Sequence, residues 1–292
     1  MKDDLPENIK KIILVSQKNE ITEYFIYNKL SKIVKDPHNK DILEKIAKDE
    51  LKHYNFWKKY TDIDIKPQKL TIWKYYLISR IFGITFGIKL MERGEEKAQE
   101  IYGKISEEIP EAKDIVNDED EHEKYLIEMI DEERLRYIGS VVLGLNDALV
   151  ELTGTLAGLT LALQNTKLIA MAGLITGTAA SLSMAASEYL STKSEENAKD
   201  PFRASSYTGA AYILTVLFLI FPYLIFSSYY ISLGIAILNA IIVIFTFTYY
   251  ISVTKELPFK KRFTEMAVIS LGIAALSFGI GFLIRILLGI EI

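Results

Sequence analysis

Five stretches in the second half of the chain, each about 20 mostly apolar residues long, constrain what the sequence can fold into. They lie near Val141–Leu163, Leu168–Leu190, Tyr207–Phe226, Tyr230–Val253 and Phe263–Leu288. Runs of that length are suited to helices crossing a bilayer, because hydrocarbon offers no water to satisfy an open backbone. The charge pattern agrees. Of the 34 Lys and Arg, 25 lie in residues 1–136, and of the 38 Asp and Glu, 29 do. The 292-residue chain therefore reads as two domains, a charged one over 1–136 and a membrane one over 137–292.

The connecting loops orient the spans. Lys193, Lys199 and Arg203 lie in one loop, and Lys255, Lys260, Lys261 and Arg262 in another, whereas the intervening turns carry only Lys167. The positive-inside rule makes the two basic loops cytoplasmic. Five spans then leave the N-terminal domain in the cytoplasm and the C-terminus outside, in the cytoplasmic membrane. The start, MKDDLPENIKK, has no apolar core of a secretory signal. The chain has no cysteine, which excludes thiolate metal sites, disulfides and thiol catalysis. No basic patch interleaved with aromatics points to nucleic acid. A shorter apolar run, Ile81–Ile88, cannot span and is expected as the buried or interfacial face of a soluble helix.

Polar residues inside the spans carry the functional signal. Asp147 and Glu151 are four apart, hence on one helix face, with Asn146 beside them. A carboxylate in lipid costs roughly 3 kcal/mol on insertion scales and by default marks an ion or proton path. Met184 and Glu188 repeat the spacing in the second run. A thioether beside a carboxylate suits a borderline transition metal better than Mg2+ or Ca2+, which take oxygen. Gly154/Gly158 and Gly173/Gly177 allow helices to approach closely.

The stretches GLNDALVELTGTLAGL and SLSMAASEYLS resemble the first two transmembrane segments of the vacuolar iron transporter family. Members usually read NDG and GEY, and here Ala148 and Ser187 replace those glycines without removing a ligand. The resemblance implies five spans, exchange of Fe2+ for protons, and a homodimer with Asp147, Met184 and Glu188 lining the path. Plant members carry a Glu-rich domain between spans two and three. The loop Ser191–Ser206 is too short to hold one.

The charged half reads as four helices with short connections, divided at Asp36-Pro37, Ile63–Gln68 and Ile109-Pro110, with a long third member. Short connections imply antiparallel neighbours and a four-helix bundle. The helices carry in turn Glu20; Glu50 and His53; Glu92 and Glu95; Glu119 and His122. Two Glu-x-x-His pairs with glutamates on the other two helices form the ligand pattern of carboxylate-bridged two-metal bundles. Two of the chain's three histidines are used this way, and His38, beside Pro37, reads as surface.

This set resembles the ferritin-like, rubrerythrin-type di-iron domain, including EITEYFIY, where Tyr27 follows Glu20 by seven. The resemblance implies Glu20, Glu50, His53, Glu92, Glu119 and His122 as ligands of two iron ions, with Glu95 a seventh candidate. Manganese suits the same oxygen and nitrogen donors. Without cysteine the chain lacks the rubredoxin centre that many rubrerythrins carry. The whole is similar to membrane-bound ferritin-like iron transporters. The expected protein is all-α, a cytoplasmic di-iron bundle that captures, senses or oxidises the metal followed by a five-helix membrane domain, exporting Fe2+, with Mn2+ a second candidate, by proton exchange. The alternative is a membrane-anchored di-iron oxidase or peroxidase whose spans are a tether.

Overall fold

The computed structural model describes residues 6–91, 93, 109–128, 136–195 and 200–288, and these are helical with short connections. The chain divides into two compact units, Met1–Glu132 and Glu133–Ile292.

In the first unit, α1 spans Glu7–Ser31, α2 Pro37–Thr61 and α3 Lys69–Phe82, followed by α4 over residues 84–91. A 3-10 turn, Pro110–Ala112, leads into α5, Lys113–Glu128. The breaks follow local chemistry. Asp36 caps α2 by accepting the Asn39 N–H at 2.9 Å, and Pro37 occupies the first turn, where its missing N–H costs nothing. Asp62 ends α2 in the left-handed region at φ 53°. The connector to α3 is pinned from both sides. Gln17 Nε2 donates to the Ile63 carbonyl at 2.8 Å, and the Gln68 N–H donates to Thr22 Oγ1 at 3.0 Å.

The expected long third helix is broken. Gly83 has φ 102°, a backbone that only glycine adopts cheaply, and it terminates α3. The run Ile81–Ile88 is consequently not one face. Ile81 and Phe82 are exposed at the end of α3, whereas Phe86 and Ile88 are buried in α4. The turn brings Gly87 against Ser79 so closely that a Cβ there would lie 1.9 Å from Ser79 Oγ and 3.1 Å from its Cα.

Two apolar clusters hold this unit. One joins Ile9, Ile13, Trp57, Ile109, Ala112 and Ile115. The other joins Ile26, Leu30, Leu43, Ile46, Ile88, Met91 and Leu126 among others. Along α1, α2 and α5 the buried polar side chains Gln17, Glu20, Glu50, His53 and His122 fall between the two clusters. The polar layer is thus sealed by hydrocarbon above and below.

The second unit has five helices: α6 (Ile138–Leu163), α7 (Thr166–Lys193), α8 (Pro201–Ile225), α9 (Tyr229–Thr254) and α10 (Phe259–Leu288). They match the five expected runs within a few residues, and all are long and apolar enough to cross a membrane. At 1.5 Å per residue each is about 37–45 Å long, which exceeds a hydrocarbon core of about 30 Å. Large apolar side chains such as Leu214, Phe221, Leu224, Phe245, Leu276 and Ile280 point outward. That is the pattern of a multi-pass membrane protein. α6 packs against α7, α8, α9 and α10, and α8 packs against α7 and α9. Glycine makes the α6–α10 approach possible: a Cβ on Gly281 would lie 2.2 Å from the Gly158 carbonyl oxygen. Gly177 likewise receives Val216 of α8, so the small-residue pairs seen in the sequence serve packing within one chain.

The α3–α4 turn is open to test. Gly87→Ala places a fixed Cβ against Ser79, which no rotamer relieves, and is expected to destabilise the unit by about 1–3 kcal/mol. Gly139→Ala, which meets nothing within 4 Å, leaves stability unchanged or slightly raised. Thermal unfolding of both variants in detergent checks the difference.

Candidate metal centre and polar path

The polar layer of the first unit gathers carboxylates and imidazoles from three helices. α1 supplies Glu20, α2 supplies Glu50 and His53, and α5 supplies Glu119 and His122. The i, i+3 spacing sends each Glu–His pair from one helix face into the layer. Glu20, Glu50, His53 and His122 are buried, and the Glu119 side chain is 18% exposed. One ligand atom from each of Glu20, Glu50, His53 and Glu119 can be chosen so that all lie within 4.8 Å of one another, a group that could hold a metal ion.

Glu50 and Glu119 each face both imidazoles. Glu50 places Oε2 3.8 Å from His53 Nδ1 and Oε1 3.4 Å from His122 Nδ1. Glu119 places Oε1 3.4 Å from His53 Nδ1 and Oε2 3.6 Å from His122 Nδ1. Glu20 Oε2 lies 3.4 Å from His53 Nδ1, and its other oxygen accepts from Trp57 Nε1 at 3.1 Å. The two imidazole centroids are 5.9 Å apart. Glu50 Oε2 and both Nδ1 atoms are buried without a hydrogen bond among the described residues. Buried polar atoms are ordinarily satisfied, so these inward-facing donors fit a bound cation.

The outer nitrogens are held crosswise. His53 Nε2 meets Asp118 Oδ2 at 3.1 Å, and His122 Nε2 meets Asp49 Oδ2 at 3.5 Å. Each aspartate directly precedes the glutamate of the opposite helix. The duplicated unit is therefore Asp-Glu-x-x-His, at Asp49–His53 and Asp118–His122. The two aspartates escaped notice in the sequence because the spacing Glu-x-x-His was read without the residue before it. A carboxylate behind an imidazole fixes which nitrogen points at a metal and raises its basicity. Glu92 and Glu95, the expected ligands of the third helix, lie outside the described residues.

Protons balance the charge of this layer. Burial pushes Glu20 well above the ordinary carboxylate range, reinforced by Glu50 and Glu119 and opposed by His53. Burial works against charge on both imidazoles, but the facing carboxylates override it. His122 is pushed up to about 10 by Glu119 and Glu50, and His53 is raised further by Glu119, Glu20 and Glu50. Glu119 is held down at about 2 against its burial by His122 and His53. At neutral pH the imidazoles therefore keep protons that a metal must displace.

In the second unit the polar residues form a ladder. Ser140 of α6 donates to Glu188 Oε1 of α7 at 2.6 Å, and Thr208 of α8 donates to the Ser140 carbonyl at 3.0 Å. Tyr212 of α8 donates to Glu151 Oε2 at 2.8 Å. Asn146, Asp147, Met184 and Glu188 are half-buried, and Glu151 is exposed. Ser140 and Glu151 are 151 − 140 = 11 residues apart, about 16 Å along α6. α7 runs antiparallel to α6, which sets Met184 a turn beyond Glu188, toward the level of Asp147. These residues do not converge on one ion-sized site in a single chain. They mark successive levels across the helices. Ser140, Thr208 and Tyr212 had no sequence signature, since isolated hydroxyls are ordinary in apolar helices.

Residues 138–200, which comprise α6, α7 and the connection to α8, match the VIT family. The match covers the first two of five helices long and apolar enough to cross a membrane; this vacuolar-iron-transporter-like similarity suggests transport of a metal ion across a membrane. Comparison with curated proteins returns no match to the chain.

A divalent metal taken up by the polar layer would bind with a defined pH dependence. For each proton displaced from His53 or His122, apparent affinity for Fe2+ or Mn2+ rises about tenfold per pH unit below the imidazole pKa. Asp118→Asn and Asp49→Asn retain the ligands and lower affinity about 10–100-fold. Calorimetric titration of the full-length protein at several pH values, with proton release followed in parallel, checks both.

Proposed function

We propose that the protein exports Fe2+ from the cytoplasm across the cell membrane in exchange for protons, and that the first unit captures the metal before transport. The observation that carries this reading is the ladder of Asp147, Glu151, Met184 and Glu188 across α6 and α7, inside the segment that matches the VIT family. A tether needs no aligned carboxylates in lipid. A transport path does, because each carboxylate must release a proton to take a cation and regain it to let the cation go. The thioether of Met184 adds a softer donor that favours a transition metal over Mg2+ or Ca2+. Mn2+ is a second cargo compatible with the same donors. The path belongs to a homodimer, in which a second copy of the ladder completes the coordination that one chain leaves spread over several levels.

The first unit fits a pair of iron ions. Two buried carboxylates and one partly buried one from three helices, two inward-facing imidazoles and the carboxylates behind them supply the oxygen and nitrogen donors that such a pair takes. Glu20, Glu50, His53, Glu119 and His122 hold it, with Glu92 or Glu95 completing the set from the third helix of a ferritin-like bundle. Iron bound there would supply one-electron redox chemistry toward oxygen or peroxide. The chain's own contribution is positional. Asp118 and Asp49 fix the imidazoles, Trp57 orients Glu20, and the two apolar clusters exclude water. The buried donor set also suits a second reading, a membrane-anchored iron oxidase.

Proteoliposomes containing the full-length protein separate the two. Fe2+ transport falls at least tenfold in Asp147→Ala and Glu188→Ala while both retain metal in the first unit. His53→Ala loses that metal and slows transport without abolishing it at high Fe2+. Transport unchanged in both membrane variants, with oxidation of Fe2+ intact, would leave the oxidase reading standing.

A further inference from the structure

α3 presents an exposed apolar face. Leu70, Trp73, Leu77 and Ile81 are 88%, 53%, 49% and 62% exposed, whereas Ile72 and Ser79 face inward. With 3.6 residues per turn the four exposed side chains share one stripe about 80° wide. Lys69 and Arg80 border it on one side and Lys74 on the other, all exposed. Lys29 of α1 adds a further ammonium, 3.3 Å from the centre of the Trp73 ring and 4.6 Å from that of Tyr76. Between Asp64 and Glu92 the chain has five cations, Lys66, Lys69, Lys74, Arg80 and Lys89, and no carboxylate. This occurs within a region, residues 1–136, where acidic residues outnumber basic ones by 29 to 25.

An exposed apolar stripe between rows of lysine and arginine, with a tryptophan in it, has the character of a helix lying in a membrane interface. The apolar side chains enter the headgroup boundary, and the long cationic stems reach back to phosphate and carboxylate. We propose that α3 is a membrane-surface helix, seating Leu70, Trp73, Leu77 and Ile81 in an anionic bilayer while Lys69, Lys74 and Arg80 pair with lipid headgroups. Charge decides the occupant. A second copy meeting this face by two-fold symmetry brings the same cations together, whereas an anionic leaflet neutralises them. The bilayer is also at hand. Only residues 129–137 separate α5 from the first membrane-capable helix, at most about 35 Å of chain, so the surface is presented at high effective concentration.

Because the chain has no cysteine, single labels report without background. Leu77→Cys in the full-length protein, labelled with bimane, is placed in nanodiscs holding one copy and lipids with brominated chains. A second preparation carries the label at Val15→Cys, on the 60% exposed Val15 of α1. The proposal expects several-fold quenching at position 77 in discs containing phosphatidylglycerol. It expects little quenching in phosphatidylcholine discs, at position 15, or at position 77 after combined Lys69→Glu, Lys74→Glu and Arg80→Glu substitution. Absence of quenching in both lipids overturns it, as does equal quenching in both. Shielding of the label from iodide that appears only in discs holding two copies assigns the face to a second subunit and overturns it too.

Discussion

A carboxylate removed from water must find a proton, a cation or a set of donors, and this chain removes carboxylates from water in both of its units. In the first, Glu20, Glu50 and Glu119 lie with His53 and His122 in a layer between two apolar clusters. The imidazoles hold protons well past neutrality because the carboxylates face them, and burial pushes the Glu20 carboxyl well above the ordinary carboxylate range. A divalent metal bound there would replace those protons with a more concentrated charge. In the second unit, Glu188 and Glu151 receive hydroxyl donors from Ser140 and Tyr212, and Asp147 stands between their levels. In the proposed function, exchange of protons for metal would serve capture in one unit and passage in the other.

Much of this was legible in the sequence because long-range physics writes simple patterns. Five runs of membrane length have few alternatives, and the helix boundaries at Pro37 and Pro110 follow from backbone chemistry. The i, i+3 spacing of Glu50 with His53 and Glu119 with His122 depends only on helical geometry, so it survives whatever the tertiary packing does. The VIT family match falls on the two helices that carry Asp147 and Glu188, whose spacing had already marked them. Glu92 and Glu95 fall outside the described residues and stay expectations.

What was missed has a common cause. The break at Gly83 depends on a positive φ that a lone glycine in an apolar run does not announce, and it divided Ile81–Ile88 between an exposed end and a buried start. Asp49 and Asp118 act across the interface between α2 and α5, so no local spacing on one helix reveals that each serves the other helix's histidine. Ser140, Thr208 and Tyr212 meet partners on other helices for the same reason. Contacts between elements are set by packing, and packing is where a single sequence is least informative.

In the proposed transport cycle, cargo metal and protons move in opposite directions over the same carboxylates. Simultaneous recording of Fe2+ flux and internal pH in sealed proteoliposomes addresses it directly. Under proton exchange an imposed Fe2+ gradient, with no pH gradient applied, drives protons the opposite way, and Asp147→Ala abolishes both fluxes together. Fe2+ flux that proceeds with internal pH unchanged would contradict it.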